Sequence, residues 1–274
     1  MGSELLCFEC RDPPGTIKSI SANTSPCPLE QMNKTAYVLI VAAAVSAVPG
    51  NAFGNRRVSA SSSIASTSRT AELEASATTS RFAAGGWDPA AIGSVDGDVF
   101  SLALASAEKA VQRGEAEPAT LTVIDFSQPS TAPRLWVYDL QRRTLLFAEH
   151  VAHGRNSGFD LPTKFSNEPE SNMSSIGLYR ASEAYIGKHG YSLRLDGLEP
   201  GFNDRARVRA IVIHGAEYVN ANTAKAQGRL GRSLGCPAVR PEIARKLIDA
   251  VKDGGLVFAY YPDPSWLQTS RFLN

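Results

Sequence analysis

Residues 134–153, RLWVYDLQRRTLLFAEHVAH, have the pattern of a β-hairpin. Two runs rich in β-branched and aromatic residues, 134–140 and 144–153, are separated by a polar triplet at 141–143. Such a separation is typical of two antiparallel strands joined by a turn. A third run of the same kind, TLTVIDF, covers residues 120–126. This part of the chain is therefore predicted to form neighbouring strands.

Other segments add further strands and two helices. Strands are also predicted at residues 177–181, 191–195, 208–214 and 256–261. One helix is predicted to begin with Asp98 as its cap and to run to about Arg113, where Gly114 ends it. A second helix is predicted to begin at Pro241 and to stop at the glycines 254–255. Because strands and helices do not alternate, the sequence predicts a mainly β sandwich or barrel-like sheet with a packed helix, plus one N-terminal helix.

The overall composition excludes several classes of partner. The chain has 274 residues, of which 28 are Lys or Arg and 27 are Asp or Glu, so its formal net charge is +1. A balance of this kind produces no long-range positive field that would attract nucleic acid or an anionic membrane surface. The hydrophobic content of 43% is ample for a packed core.

The N-terminal region is predicted to contain an export signal. The apolar run at 35–48 is too short for a membrane span, which needs roughly 20 residues, but it suits the core of a signal peptide. It follows Met32 and a lysine, and small residues come after it. We therefore expect translation to start at Met32, with residues 1–31 a non-native upstream extension and 32–52 the signal peptide. The alternative is a cytosolic head before a membrane anchor.

The segment after the signal is predicted to be a linker. Residues 58–80 consist largely of Ser, Thr and Ala and contain no aromatic residue, so they cannot bury enough apolar surface to fold alone. We assign 53–86 to this linker and 87–274 to one folded domain. The mature protein is expected to be exported to the periplasm or cell envelope, without a stable membrane span once the signal is removed.

The cysteines distinguish one thiol from the others. Cys7, Cys10 and Cys27 precede the predicted cleavage site, and they lack a fourth nearby ligand for a zinc site. Cys236 would then be alone in the mature chain. In an oxidising compartment, a cysteine without an internal partner is either an intermolecular link or a reactive thiol. Cys236 is therefore a candidate nucleophile.

A histidine upstream of this cysteine supports that interpretation. The predicted strand VRAIVIHG ends at His214 and Gly215, and Cys236 follows in the segment GRSLGC. An imidazole can accept the proton of a thiol and return it to a leaving amine. The backbone N–H groups of Gly235 and Cys236 are predicted to bind the oxyanion. Ser233 is predicted either to brace that turn or to contact the substrate.

The segments IVIHGAEYV and GRLGRSLGCPAV together resemble the catalytic segment of the L,D-transpeptidases, which have a YkuD-like fold. The resemblance is strongest to a divergent branch of murein L,D-transpeptidase catalytic domains and extends over residues 134–262. It implies Cys236 as nucleophile, His214 as base and the Gly215 carbonyl as the group that orients the imidazole. It also implies peptidoglycan stem peptides as substrates, D-Ala as leaving group, a 3-3 cross-link as product, and no metal or organic cofactor.

The resemblance includes two departures. Leu234 stands where the usual motif has a second histidine, and Pro237 with Ala238 replaces the common continuation after the cysteine. An arginine that would bind a substrate carboxylate is therefore missing from its usual place. The candidates to replace it are Arg232, Arg240 and Arg194.

Other residues and other functions remain open. Tyr185 and His189 are predicted to line the substrate cleft, whereas His150 and His153 lie on opposite faces of a predicted strand and favour structural or solvent-facing roles. The same Cys–His pair would also suit an L,D-carboxypeptidase or another hydrolase. Two further alternatives are a non-catalytic cell-wall-binding module and a metal site formed by Cys236, His214 and another histidine.

Overall fold

The computed structural model describes residues 81–274. The predicted upstream extension, the signal peptide, residues 53–80 of the predicted linker and the three N-terminal cysteines lie outside the described residues. Phe82 is buried in the core, so the described structure reaches back into the last residues of the segment predicted as linker. Within residues 81–274, none of the helices is both long and apolar enough to span a bilayer.

Eight strands and five α-helices make up the described part of the chain. The strands are β1 (Thr120–Asp125), β2 (Leu135–Asp139), β3 (Thr144–Glu149), β4 (Gly177–Gly187), β5 (Gly190–Gly197), β6 (Val212–Gly215), β7 (Ala238–Val239) and β8 (Leu256–Tyr260). The helices are α1 (Pro89–Ile92), α2 (Gly97–Gln112), α3 (Ala221–Gln227), α4 (Pro241–Val251) and α5 (Pro264–Thr269). A 3-10 turn at Ala84–Gly86 precedes them.

All eight strands belong to one mixed sheet with the order β3-β2-β1-β8-β4-β5-β6-β7. The pairs β1–β8 and β6–β7 are parallel, and the others are antiparallel. Just beyond β3, Ala152 pairs with Ala238 of β7, and its N–H donates to the Ala238 carbonyl at 2.8 Å. The two edges of the sheet therefore nearly meet, which confirms the predicted mainly β, barrel-like fold.

The predicted hairpin at 134–153 is confirmed as β2 and β3, but several boundaries differ. The third strand ends at Glu149, four residues early, and β4 continues to Gly187. The strand predicted at 208–214 begins only at Val212, because the preceding residues form a turn in which Ala210 has a φ of 53°. Helices α1, α3 and α5 and the two-residue strand β7 were not predicted.

Helix α2 covers one face of the sheet. Its cap is Asp96, whose side chain accepts from the N–H groups of Asp98 and Val99, so the prediction of Asp98 as the cap is wrong by two residues. The apolar face of α2 is buried, in a cluster with residues from β1, β2 and β8. Near its N-terminal end, Trp87, Phe100 and Tyr138 form edge-on and tilted aromatic contacts with ring centroids 4.9–5.6 Å apart.

Helix α4 packs against the opposite face. Its buried residues are Ile243, Ala244, Leu247, Ile248 and Val251. They join an apolar cluster that includes Leu193 of β5, Ile213 of β6 and Val257 of β8. Because side chains alternate along a strand, His214 faces away from this cluster. The core on the α4 side therefore fixes β6 while leaving the histidine on the other face.

Candidate active site

His214 lies near the end of β6 and is only 2% exposed. Its Nδ1 is 2.9 Å from the carbonyl oxygen of Gly215. A carbonyl can only accept, so Nδ1 donates its proton, and Nε2 keeps a lone pair. The imidazole ring stacks on that of His189, with centroids 4.4 Å apart. His189 is exposed in the turn between β4 and β5, and the fold brings it onto the histidine of β6.

Burial lowers the pKa of His214 below its ordinary value. The Gly215 carbonyl opposes this shift because it stabilises a protonated ring, whereas a charge on His189 would lower the pKa further. At neutral pH the His214 imidazole is therefore uncharged. This is the form that can accept a proton.

Cys236 lies beside β6, in the turn that leads into β7. Ala238 pairs in parallel with His214, so the cysteine, two residues earlier, lies alongside Val212. At about 3.3 Å per residue, the backbone of Cys236 is offset from that of His214 by roughly 6–7 Å along the strand. The residue is half-buried, and its Sγ is 3.6 Å from the Ala210 carbonyl oxygen.

The surroundings of the thiol favour its neutral form at rest. Burial raises the pKa of Cys236, while the N–H of Val212 and the positive charge of Arg209 act in the opposite direction. Since burial also lowers the pKa of His214, a neutral thiol and a neutral imidazole are favoured over a resting ion pair.

Ser233 braces the turn that carries the cysteine. Its hydroxyl donates to the Cys236 carbonyl at 2.6 Å and accepts from the Gly235 N–H at 3.1 Å. Its own N–H donates to the His153 carbonyl at 2.9 Å. Of the two roles open from the sequence, the hydroxyl contacts support the structural one.

Gly235 has a special backbone geometry. Its φ is +125°, and a Cβ there would lie 2.7 Å from the Met173 carbonyl oxygen, so only glycine fits. Its N–H was predicted to bind the oxyanion, but that N–H is engaged by Ser233. The N–H of Cys236 itself is left as the candidate oxyanion donor.

Arg209 is the charged residue near the thiol that the sequence did not single out. It lies in the turn before β6, and its guanidinium is the charged group that opposes the burial of Cys236. The turn carries three arginines, at positions 205, 207 and 209. Nothing in their spacing distinguishes the one that faces the cysteine.

Arg232 was predicted to bind substrate, but its guanidinium makes hydrogen bonds within the protein. One of its guanidinium nitrogens donates to the carbonyls of Arg155 and Gly158 at 3.0 and 2.8 Å. These bonds fasten the loop after β3 to the cysteine segment. One terminal nitrogen of Arg232 is thus committed to backbone groups.

The other two candidate arginines are paired with carboxylates. Arg240 makes a bidentate contact with Glu149 at 2.9 and 2.7 Å. Arg194 pairs with Glu183 at 2.9 Å and lies 4.1 Å from the centre of the Tyr185 ring. Tyr185, on β4, therefore packs against the guanidinium of Arg194, two strands away from His214. No other contact within residues 81–274 supports the prediction that its side chain binds substrate.

A cleft of about 360 Å³ lies beside the histidine pair. Its wall includes His189, Gly215, Glu217 and Arg245, together with Tyr191. The guanidinium of Arg245 lies 4.2 Å from the centre of the Tyr191 ring. His189 connects this cleft to the catalytic candidate, because its ring lines the wall and also stacks on His214.

His150 and His153 have different environments. The His150 ring lies 3.2 Å from the carbonyl of Thr131, whereas His153 is fully buried and accepts from Arg134 at 2.8 Å through Nδ1.

Within residues 81–274, no three His, Cys, Asp or Glu side chains are grouped closely enough to bind a metal ion. The alternative of a metal site at Cys236 and His214 thus gains no support.

The chain was compared with known proteins. A family model described as "L,D-transpeptidase catalytic domain" matches residues 92–260, which extends the resemblance at 134–262 to include helix α2. A search of curated proteins found no match.

Among solved structures, similar ones include an L,D-transpeptidase from Mycobacterium smegmatis, at 15% identity and a TM-score of 0.34, with 52% of this chain and 59% of that chain covered. L,D-transpeptidase 3 from Mycobacterium tuberculosis is 17% identical, with a TM-score of 0.29 and coverage of 53% and 62%. An L,D-transpeptidase from Stackebrandtia nassauensis is 14% identical, with a TM-score of 0.31 and coverage of 60% and 68%. The chain thus spans less than two thirds of the two mycobacterial proteins.

Proposed function

The chain belongs to the L,D-transpeptidase catalytic domain family, and from this premise we propose that it is a cysteine acyltransferase acting on peptidoglycan stem peptides. The observation that carries the proposal is the arrangement of His214. Its Nδ1 is tied to the Gly215 carbonyl at 2.9 Å, so Nε2 is free to accept a proton, and Cys236 lies beside the same strand.

In the first step, the proton of the Cys236 thiol moves to Nε2 of His214 as the sulfur attacks a peptide carbonyl carbon. The N–H of Cys236 donates to the oxyanion that forms. The C–N bond then breaks, and the leaving D-Ala amine takes the proton from His214. The acyl group remains on the protein as a thioester.

In the second step, an amine of another stem peptide attacks the thioester and passes its proton to His214. A new amide bond forms, the C–S bond breaks, and the sulfur recovers a proton. Water in place of the amine would give hydrolysis, which is the carboxypeptidase alternative. The cleft lined by His189, whose ring stacks on His214, supports binding of a peptide near the base, which both outcomes need.

The cellular setting is part of the proposal. We assign residues 81–274 to the catalytic domain, since the buried Phe82 moves the predicted boundary at residue 87 back, and we assign 53–80 to a linker, 32–52 to a signal peptide and 1–31 to an upstream extension. The substrate is a polymer of the cell envelope, so the proposed activity requires export. N-terminal sequencing of the mature protein would test this assignment, and a product that begins before Met32 would contradict it.

The proposed activity is tested with purified protein and muropeptides, analysed by liquid chromatography. Wild-type protein is expected to form 3-3 dimers, whereas trimmed tripeptides alone would indicate a hydrolase. The variant Cys236→Ser should lose activity by more than about a thousandfold, while keeping its circular dichroism spectrum and Tm. Full activity in this variant would overturn the proposal. Failure of wild-type protein to react with a thiol probe would instead favour a wall-binding module.

A further inference from the structure

The turn before β6 contains three arginines whose partners differ in charge. Arg205 pairs with Glu168 at 2.5 Å. Arg207 pairs with both Asp196 and Glu183, at 2.5 and 3.0 Å. Arg209, two residues further on, makes no hydrogen bond to a carboxylate within the described part of the chain. Its positive charge is thus not neutralised by direct contact.

The guanidinium of Arg209 is nevertheless held firmly. It is half-buried and donates only to neutral oxygen atoms. These acceptors are the Ser166 carbonyl at 2.6 Å, the Met173 carbonyl at 2.6 Å, the Ser171 hydroxyl at 3.2 Å and the Ser175 hydroxyl. Four acceptors fix both terminal nitrogens, so little capacity is left for a substrate carboxylate. A role in direct substrate binding is therefore disfavoured.

The fixed guanidinium lies under the segment that carries the nucleophile. The point where a Cβ of Gly235 would stand is 3.4 Å from Nη2 of Arg209 and 2.7 Å from the Met173 carbonyl. That carbonyl is the one Arg209 binds. The next residue along the chain is Cys236. The charge of Arg209 therefore lies next to the residue that immediately precedes Cys236.

We propose that Arg209 is a positioning residue whose fixed charge stabilises the Cys236 thiolate formed when the proton moves to His214. A charge in a partly buried site is screened far less than one at the surface. Burial lowers the pKa of Arg209, and the cysteine is among the groups that oppose that shift. The inference rests on the proposed function only in taking Cys236 as the nucleophile.

The test measures thiol ionisation directly, by the rate of alkylation with iodoacetamide across a range of pH. In Arg209→Met, the midpoint of the rate profile is expected to rise by about one pH unit, which reduces the thiolate fraction at neutral pH about tenfold. Its plateau rate at high pH should rise, because a more basic thiolate is a stronger nucleophile. A merely structural role would not produce this pair of changes.

Arg205→Met is the matched control, since it removes an arginine from the same turn that pairs with Glu168. Its midpoint should stay at the wild-type value. A folded Arg209→Met protein with an unchanged midpoint would overturn the inference, as would an equal rise in both variants.

If Arg209→Met does not fold, Arg209→Lys provides the test, because it keeps the positive charge but lacks the planar guanidinium with its several N–H donors. A midpoint within a few tenths of a pH unit of wild type supports the inference, and a rise of a full unit overturns it. No wall peptide is used, so these results are independent of the muropeptide assay. A raised midpoint without cross-linking would refute the proposed function and leave this inference standing.

Discussion

The two ends of the sheet are held together by different interactions. At one end, strands β3, β2, β1 and β8 are covered by helix α2, and their contacts are largely between apolar side chains. At the other end, β6 has four residues and β7 has two. The turn that carries Cys236 is held by side-chain hydrogen bonds from Ser233 and Ser174, and Arg209 fixes the neighbouring segment through the Met173 carbonyl.

This difference separates stability from reactivity. Burial of apolar surface is the main source of folding free energy, so the apolar clusters under α2 and α4 should dominate stability. The polar end fixes the φ of Gly235 and the charge near the thiol instead. Substitutions at the two ends should therefore affect different measurements.

The largest effect on stability is expected at Trp136, which is 1% exposed in the cluster under α2. Trp136→Ala should lower the free energy of unfolding by about 4 kcal/mol, because the lost contacts leave a cavity. Urea denaturation measures this change. Leu146→Ala is the control, since Leu146 is 41% exposed on β3, and it should change stability by less than about 0.5 kcal/mol. If folded Trp136→Ala showed a changed midpoint of thiol alkylation, stability and thiol reactivity would not be separated as proposed.

The second prediction concerns the loss of folding stability at acid pH. It tests His153, whose carbonyl accepts from the Ser233 N–H in the cysteine turn. Burial, reinforced by the charge of Arg134, lowers the pKa of His153 to about 4. The unfolded chain takes up this proton below about pH 6.5, and the folded protein does so only near 4. Stability from this group is therefore lost as the pH falls between those values, by about 3 kcal/mol.

The physical reason is that Nδ1 of His153 accepts from Arg134 at 2.8 Å, so a proton there would replace an attraction with a repulsion. In His153→Gln, which cannot take up a proton, this part of the acid sensitivity should disappear. Urea titrations at pH 4.5 and 7 measure it. His150→Gln should retain the wild-type slope, and equal slopes in wild type and His153→Gln would refute the assignment.

The α2 end was predictable from sequence because its signals are local. Alternating apolar residues such as Leu121 and Val123, and the turn between β2 and β3, follow from neighbours along the chain. The start of β6 was misjudged because Val208 is β-branched, although its side chain is 82% exposed in a turn. Strand propensity does not report exposure.

The polar end was predictable only in part. Cys236 and His214 could be singled out because each lies in a short segment, GRLGRSLGCPAV or IVIHGAEYV, that resembles a family motif. Arg209 was missed because its environment depends on residues 166–175 meeting the cysteine turn in space. His189 was predicted to line a cleft, but the contribution of Arg245 was missed, since helix α4 brings it there from a distant part of the chain.

The third prediction compares two glycines with similar backbone angles. Gly235 has a φ of +125° and Gly254 one of +113°, but only Gly235 is crowded, since nothing lies within 4 Å of a Cβ at position 254. Both alanine variants carry backbone strain of about 2 kcal/mol. Gly235→Ala should in addition displace the cysteine turn.

The measurement for this pair is thermal unfolding together with the iodoacetamide profile. Gly254→Ala should lower Tm and leave the thiol profile unchanged, because it strains the end of the sheet remote from the cysteine. Gly235→Ala should lower Tm at least as much and also alter the profile. If the two variants alter thiol reactivity equally, the cysteine turn is not the rigid element described above.

The smallest effect is expected at Arg245, on the exposed side of the cleft beside His189. Arg245→Gln removes the basic member of the Glu217 and Arg245 pair that lines this cleft. The interaction of an exposed charge with a peptide carboxylate contributes less than about 1 kcal/mol and is screened by salt. We therefore expect about a threefold loss of kcat/KM at low salt that disappears near 1 M salt. Lys246→Gln, one residue further along α4 and outside the cleft, should show no such loss. A salt-independent defect in Arg245→Gln would mean that the side chain acts through packing on Tyr191, 4.2 Å away, and not through its charge.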